Sequence, residues 1–326
     1  PSLSKRWFLE FGGILREASV FVNGQLVGSS HNGILPFECD ISEVIKAGDN
    51  EVAVLVTDYR RDENGMVFTP LGADQMTVQK GIWQDVCLVG KSPVFVDDVT
   101  IRTSVRRNEL TLLISLRNTS GRPRRVTPRF VVRDASTCAL EFDSEMVVLE
   151  DGESRTIEVV KSWESYRPWS PRNPTLYHLQ TMLVEDDTVI DVHEERFGFR
   201  EVWIEGHKFV LNGTPITLAG EWCHKNTLDN FRPEYLRQWF GMLKECNMNY
   251  IRTHTFPHPT VVLDCADEMG ILVCVEAGWQ FGNRMALDKE ELWVNAEQHV
   301  KDLIHRDKNH PSVILWSVGN EVRWSG

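Results

Sequence analysis

The sequence predicts a multidomain β plus α/β protein: two successive β-sandwich modules followed by the first half of a (β/α)8 TIM barrel. Three observations carry this. Short apolar runs separated by Gly and Asn turn signals fill residues 1–92 and again residues 93–197. From about residue 206, apolar strands alternate with segments of helical period, the pattern of a parallel sheet covered by helices. That alternation runs through four strands, about half of what a barrel of roughly 200–250 residues needs.

In the first module, Ala18 to Val22 leads through Asn23-Gly24 into Gln25 to Gly28. Asn-Gly between apolar runs is a strong hairpin signal, because both turn positions tolerate positive φ. Residues 51–56 and 85–89 are further strand candidates. A fresh start after Lys91-Ser92-Pro93 opens the second module, with strand-like runs at 94–101, 109–116, 129–133, 155–160 and 176–184. Its size is that of an immunoglobulin-like sandwich.

The third module, 198–326, reads as strand 215–219, helix 234–248, strand 250–253, helix 260–269, strand 271–275, a helix after Asp288, and strand 313–318. The second helix carries Val262, Cys265, Ala266 and Met269 on one face and closes at Gly270. The third has Asp288 and Glu291 in the spacing of a capping box, with Trp293, Ala296, Val300 and Leu303 as its expected inner face.

Composition excludes several classes. Lys plus Arg number 35 against 47 Asp plus Glu, a net charge of −12 that repels phosphate and argues against nucleic acid as a partner. No apolar run approaches ~18 residues, so no membrane-spanning helix is expected. The seven cysteines are scattered without a CxxC pair, which favours free thiols over a zinc site or a disulfide framework. The compartment and the oligomeric state stay open, and a homo-oligomer is compatible with the sequence.

Barrel chemistry sits at the carboxyl ends of strands. Those ends bring Glu221, Trp222 and His224; Arg252, His254 and His258; Glu276, Trp279 and Gln280; and Gly319-Asn320-Glu321 with Arg323 and Trp324. Carboxylates can do acid/base or nucleophilic work on a glycosidic bond. Asn, His and Arg hydrogen-bond hydroxyls, and tryptophans stack on sugar C–H faces. Taken singly each has a structural alternative: a strand-end Glu as a salt-bridge partner, the tryptophans as core or interface, Arg252 as the partner of Glu276. The convergence of four strand ends favours a carbohydrate site.

These residues and several longer motifs make the chain resemble glycoside hydrolase family 2, the β-galactosidases, β-glucuronidases and β-mannosidases. Val20-Phe21-Val22-Asn23-Gly24 is similar to V-x-V-N-G, and Pro36-Phe37 with Asp40-Ile41 to P-F-x-x-D-I. Gly81 to Val86 resembles G-I-[WY]-R-D-V. Trp169-Ser170-Pro171, Asn173-Pro174 and Leu176-Tyr177 match W-S-P-x-N-P-x-L-Y, and Phe197 to Arg200, Phe209, Leu211 to Gly213 and Pro215-Ile216 match the entry to the barrel. The run from Asp307 to Glu321 is the most specific match.

The resemblance implies a jelly-roll-like sugar-binding domain (1–92), an immunoglobulin-like domain (93–197) and a catalytic barrel (198–326). It implies a retaining exo-β-glycosidase, β-galactosidase-like as first reading, with a β-glucuronidase or β-mannosidase as the alternative. Glu321 is then the general acid/base, and Asn320, His224, Arg252, Glu276, Trp279 and His254 contact the carbohydrate substrate. The nucleophile is expected on a later strand beyond Gly326, so this span alone should not turn over; a nucleophile at Glu276 or Glu221 is the competing arrangement. A non-catalytic carbohydrate-binding or scaffold protein is the rival of another class, and Asn320-Glu321 at a strand end speaks against it. Two departures from the family pattern stand out. R-T-S-H-Y-P reads Arg252-Thr253-His254-Thr255-Phe256-Pro257 here, with its histidine one residue early. Gln280 and Gly282 stand where the large β-galactosidases place magnesium ligands, so no metal or other cofactor is expected.

Overall fold

A computed structural model describes residues 5–31, 34–57, 61–68, 81–223, 228–279 and 285–322. In the first ninety or so residues, Arg6–Phe11 pairs antiparallel with Phe37–Asp40 and Val86–Lys91, and Glu17–Val22 with Gln25–Ser30 and Val52–Thr57. Between these two sheets lie Leu9, Phe11, Ile14, Ala18, Val20, Val22, Cys39 and Ile41. The expected hairpin forms, with Asn23 and Gly24 both at positive φ (51° and 81°).

The second module packs two antiparallel sheets face to face. One holds Val94–Ser104, Glu109–Asn118 and Ser154–Ser162; the other holds Arg124–Asp134, Thr137–Asp143, Tyr177–Glu185 and Thr188–Phe197, with Val147–Leu149 beside the first of these. Strand residues alternate between the shared core and the outside, as at Leu110, Leu112, Ile114 and Leu116, all fully buried.

The third module differs from expectation at its entrance. Thr214–Ile216 does not join the parallel sheet; it turns back at Asn212-Gly213 onto Lys208–Leu211, which also pairs with Val202–Glu205. The parallel sheet starts instead with β1 (Gly220–Cys223), followed by α1 (Pro233–Glu245), β2 (Tyr250–Thr253), α2 (Thr260–Met269), β3 (Leu272–Glu276), α3 (Glu290–Asp307) and β4 (Val313–Ser317). The four strands lie parallel in the order β1-β2-β3-β4. Gly220 sets the start of β1: a Cβ there would sit 1.7 Å from the Tyr250 carbonyl oxygen, so no other residue fits this approach.

Two helix details also depart from the reading of the sequence. Asp288 does not cap α3; Lys289 holds the N-cap position without a side-chain bond, and Asp288 pairs with Lys289 instead. The buried face of α3 runs through Leu292, His299, Leu303 and Asp307, while Trp293 is 42% exposed. The α2 expectation holds, with Gly270 in the left-handed conformation at φ 71°.

The modules are stitched together by side chains reaching backbone. Arg200 donates to the carbonyls of Pro311 and Val313, Asn309 bonds both Ile101 and Val99, and Trp169 Nε1 donates to the Asp267 carbonyl. From the first module, Val67 forms a parallel bridge with Met285, on the loop between β3 and α3. No helix among the described residues is long and apolar enough to cross a membrane.

Candidate active site

Side chains alternate across a strand, so the parallel sheet has two unlike faces. Ile251, Val273, Val275 and Val313 point toward the helices and join their apolar core. Tyr250, Arg252, Cys274, Glu276 and Ser317 share the opposite face, and there the polar chemistry concentrates.

Glu276 is the hub. It is fully buried at the end of β3. Oε2 accepts from Arg252 Nε at 2.6 Å and from Ser317 Oγ at 2.7 Å, and Oε1 accepts the Thr255 N–H at 2.7 Å. A second guanidinium nitrogen of Arg252 lies 2.5 Å from Oε2, making the pair a close, charge-assisted one. Thr255 can present its N–H because it sits at φ 72°, left-handed for a β-branched residue. Deeper on this face, burial first and then the neighbouring Cys274 push the Tyr250 hydroxyl well above its usual range. Burial likewise raises the Cys274 thiol. The floor beneath Glu276 is therefore protonated and uncharged at neutral pH.

Arg252 also donates to Asn320 Oδ1 at 2.9 Å, and the Asn320 N–H donates to the Trp279 carbonyl at 2.7 Å. The end of β4 is thus pinned on both its side chain and its backbone. Glu321 follows at φ 50° with its side chain exposed. A non-glycine residue held left-handed costs on the order of 1–3 kcal/mol and is found preferentially at functional sites.

Other candidates take different places. His254 packs edge-on against Trp222, ring centroids 4.4 Å apart, and its backbone N–H donates to the Cys223 carbonyl. Trp222 itself is 52% exposed. Trp279 is buried in the apolar core, so its contribution to the rim is its carbonyl. Glu221 faces α1, where Trp239 Nε1 donates to it at 2.9 Å. His258 is buried between the carbonyls of Phe256 and Cys223. His224, Gln280, Gly282, Arg323 and Trp324 lie outside the described residues.

Sequence reasoning missed Ser317 and Thr255. By parity Ser317 matches Val313, which faces the helices; only the register shift in the β3–β4 pairing brings it opposite Glu276, and the sequence does not signal that shift. Thr255 was hidden because its function is carried by backbone conformation.

One group of residues has the spacing of a metal site. Asp264, Asp267 and His310 offer ligand atoms within 4.8 Å of one another. Arg196 already lies there, 2.5 Å from Asp264 and 3.5 Å from Asp267, and Ser312 N donates to Asp267. Ser312 precedes β4, so this cluster is at the opposite end of the sheet from Glu321. It is an ion-paired seam between the second and third modules.

Three family profiles match consecutive parts of the chain: glycosyl hydrolases family 2, sugar binding domain, at residues 2–93; glycosyl hydrolases family 2 at 94–200; and glycosyl hydrolases family 2, TIM barrel domain, at 202–325. The chain belongs to glycosyl hydrolase family 2. Its architecture is the family's sugar-binding jelly roll, immunoglobulin-like domain and part of a TIM barrel. Among family 2 relatives, the chain is 29% identical over 328 residues to a β-galactosidase of Thermoanaerobacter pseudethanolicus, covering 96% of this chain and 42% of that protein. It is 27% identical to a putative β-glucuronidase of Formosa agariphila, covering 98% and 38%. A solved family 2 structure from Bacteroides cellulosilyticus superposes with a TM-score of 0.82 at 26% identity, covering 98% and 43%. The chain spans less than half the length of each of these family 2 proteins.

Proposed function

We propose that the intact protein is a retaining exo-β-glycosidase, β-galactosidase-like, in which Glu321 is the general acid/base. The observation that carries this is the contrast among the three strand-end carboxylates. Glu276 is buried with both oxygens engaged, and Glu221 faces a helix on the other side of the sheet. Glu221 and Glu321 are both exposed, but Glu221 is bonded to Trp239 on the helix side, whereas Glu321 stands at the rim beside an asparagine clamped in one orientation. A group that must protonate a departing oxygen needs that access.

The residues around it take roles consistent with their bonds. Because Arg252 donates to Asn320 Oδ1, the Asn320 amide nitrogen is turned the other way and can donate to a sugar 2-hydroxyl. Glu276 holds Arg252, and so acts on the substrate through Arg252 and Asn320. Trp222 and His254 form a wall against which a sugar or aglycone can pack; His224 is a further sugar contact in this reading. Retention requires a second carboxylate ~5–5.5 Å from the first. With Glu221 and Glu276 committed elsewhere, that nucleophile comes from a later barrel strand, and residues 1–326 expressed alone should not turn over. The names of the relatives divide between β-galactosidase and β-glucuronidase; the sugar in this reading is galactose, with glucuronate or mannose as alternatives.

The test uses the full-length protein. Glu321→Gln should lower activity ~10²–10⁴-fold on glycosides with poor leaving groups and much less on activated aryl glycosides, whose departure needs little protonation. Wild-type rates on both would remove Glu321 from the mechanism. A panel of nitrophenyl β-glycosides on the same protein decides the sugar.

A further inference from the structure

His299 lies on the inner face of α3 and is fully buried. Its Nε2 accepts the backbone N–H of Gly278, at 3.0 Å, in the loop that follows β3. That loop is bonded in turn to the end of β4. Ala277 N–H donates to the Ser317 carbonyl at 2.9 Å, and Asn320 N–H donates to the Trp279 carbonyl at 2.7 Å. The contact is so close at Gly319 that an added Cβ would lie 2.5 Å from the Trp279 oxygen. A continuous run of short contacts therefore leads from the His299 ring through Gly278 and Trp279 to the residue before Glu321.

We propose that His299 is a positioning residue for the acid/base: by holding Gly278 it sets the Trp279 carbonyl, and thereby the backbone that carries Asn320 and Glu321. This rests on the assignment of Glu321 made above. The ring's protonation state suits the role. To accept from Gly278, Nε2 must carry no proton, so the neutral ring bears its hydrogen on Nδ1. Burial, reinforced by Arg306, pushes the imidazole down to about 3, so the acceptor persists across the working pH range. Nδ1 is buried and has no hydrogen-bond partner among the described residues. An apolar side chain of similar size would remove that unpaired N–H, and burying such a group is unfavourable. What the apolar side chain could not do is accept from Gly278. The histidine is thus explained by the loop it holds and not by the core it fills.

The experiment compares His299→Leu, His299→Gln and His299→Asn in the full-length enzyme, with Glu321→Gln as reference. A glutamine oxygen reaches about where Nε2 sits; an asparagine oxygen falls short of it. Displacing a catalytic group by about 1 Å can cost ~10²-fold. His299→Leu and His299→Asn should lose activity on poor-leaving-group glycosides and far less on activated ones, following the signature of Glu321→Gln. His299→Gln should recover most of the loss. Equal losses on both substrate types, no loss, or a glutamine variant no better than asparagine would overturn the proposal. If His299→Leu does not fold, the glutamine–asparagine comparison decides by itself. If Glu321→Gln shows no dependence on leaving group, it is the underlying assignment that fails, whatever the His299 variants do.

Discussion

The immunoglobulin-like sandwich and the parallel sheet with its helices both bury large apolar cores, but the polar groups they bury differ in kind. Among the described residues of the sandwich, the buried polar side chains are Ser104, Thr111, Asn118, Thr175 and Thr181, all uncharged. In the barrel portion they include Asp267, Glu276, Asp307, His258 and His299. The uncharged groups need only local partners: Asn118 donates to the carbonyls of Arg122, Leu149 and Glu150. A buried charge needs a counter-charge: Glu276 takes Arg252 from the adjacent strand, Asp267 takes His310 and Arg196 from other elements, and Asp307 takes its helix neighbour Arg306. A sandwich that only supports its neighbours can avoid buried charge. The positions where the barrel accepts it are the rim beside Glu321 and the seam with the sandwich.

The largest expected effect tests the rim. Arg252→Met would leave Glu276 buried without its counter-charge, and breaking a buried pair in this way costs ~3–5 kcal/mol. Thermal unfolding of the full-length protein should show the barrel transition well below wild type, and turnover should fall because Asn320 loses its clamp. A shift no larger than that of a surface substitution would mean the rim charge is not held as described.

At the seam the effect is smaller and depends on pH. Burial pulls the His310 imidazole down, but Asp267 at 2.6 Å, with Asp307 and Asp264 nearby, more than offsets it, and the net shift is upward. The protonated ring is the form favoured by folding. Its stabilisation should be fully present below about pH 6.5, the unfolded value, and decline as pH rises through the higher folded value. Unfolding temperatures measured across that range should show this slope in wild type and lose it in His310→Gln. An identical slope in both would show that His310 is not its source.

The sandwich supplies the control. Thr181 is fully buried with its hydroxyl unpartnered among the described residues. Thr181→Val keeps the shape and removes the orphan group, so stability should hold or rise by about 1 kcal/mol. A marked loss in denaturant unfolding would show that even the sandwich depends on buried polarity. The smallest effect is expected from metal removal. Arg252 already brings positive charge to Glu276, and Gln280 and Gly282 lack the ligand chemistry of a carboxylate and an imidazole. Chelation should leave glycosidase activity unchanged; a loss restored by magnesium would refute this.

Much of the molecule was legible because its signals are local. The Asn23-Gly24 hairpin and the closure of α2 at Gly270 each depend on a residue's own φ, which the side chain or its absence dictates. The strand-end residues on the rim could be read from the alternation of apolar strands and helices. What failed was decided between distant segments. Residues 215–219 were apolar enough for a barrel strand, yet Thr214–Ile216 found its partner in Lys208–Leu211, and the close approach at Tyr250 reserved the sheet for Gly220. The face of α3 was read correctly at Leu303, Ala296 and Val300 but not at Trp293, and His299 was missed, because a stripe containing a buried histidine and an exposed tryptophan does not follow hydropathy.

By itself, the sequence determined the module order, the periods of strand and helix, and the presence of Asn320-Glu321 at the end of an apolar strand. These follow from side-chain volume, polarity and backbone freedom, properties each residue carries alone. Only the tertiary structure decided that Glu276 lies buried beneath Arg252, Thr255 and Ser317 while Glu321 remains open to solvent. That distinction rests on the register of parallel strands and on hydrogen bonds between residues 21, 24 and 41 positions apart in the chain. Two glutamates of identical intrinsic chemistry acquire different environments from the groups that fold around them.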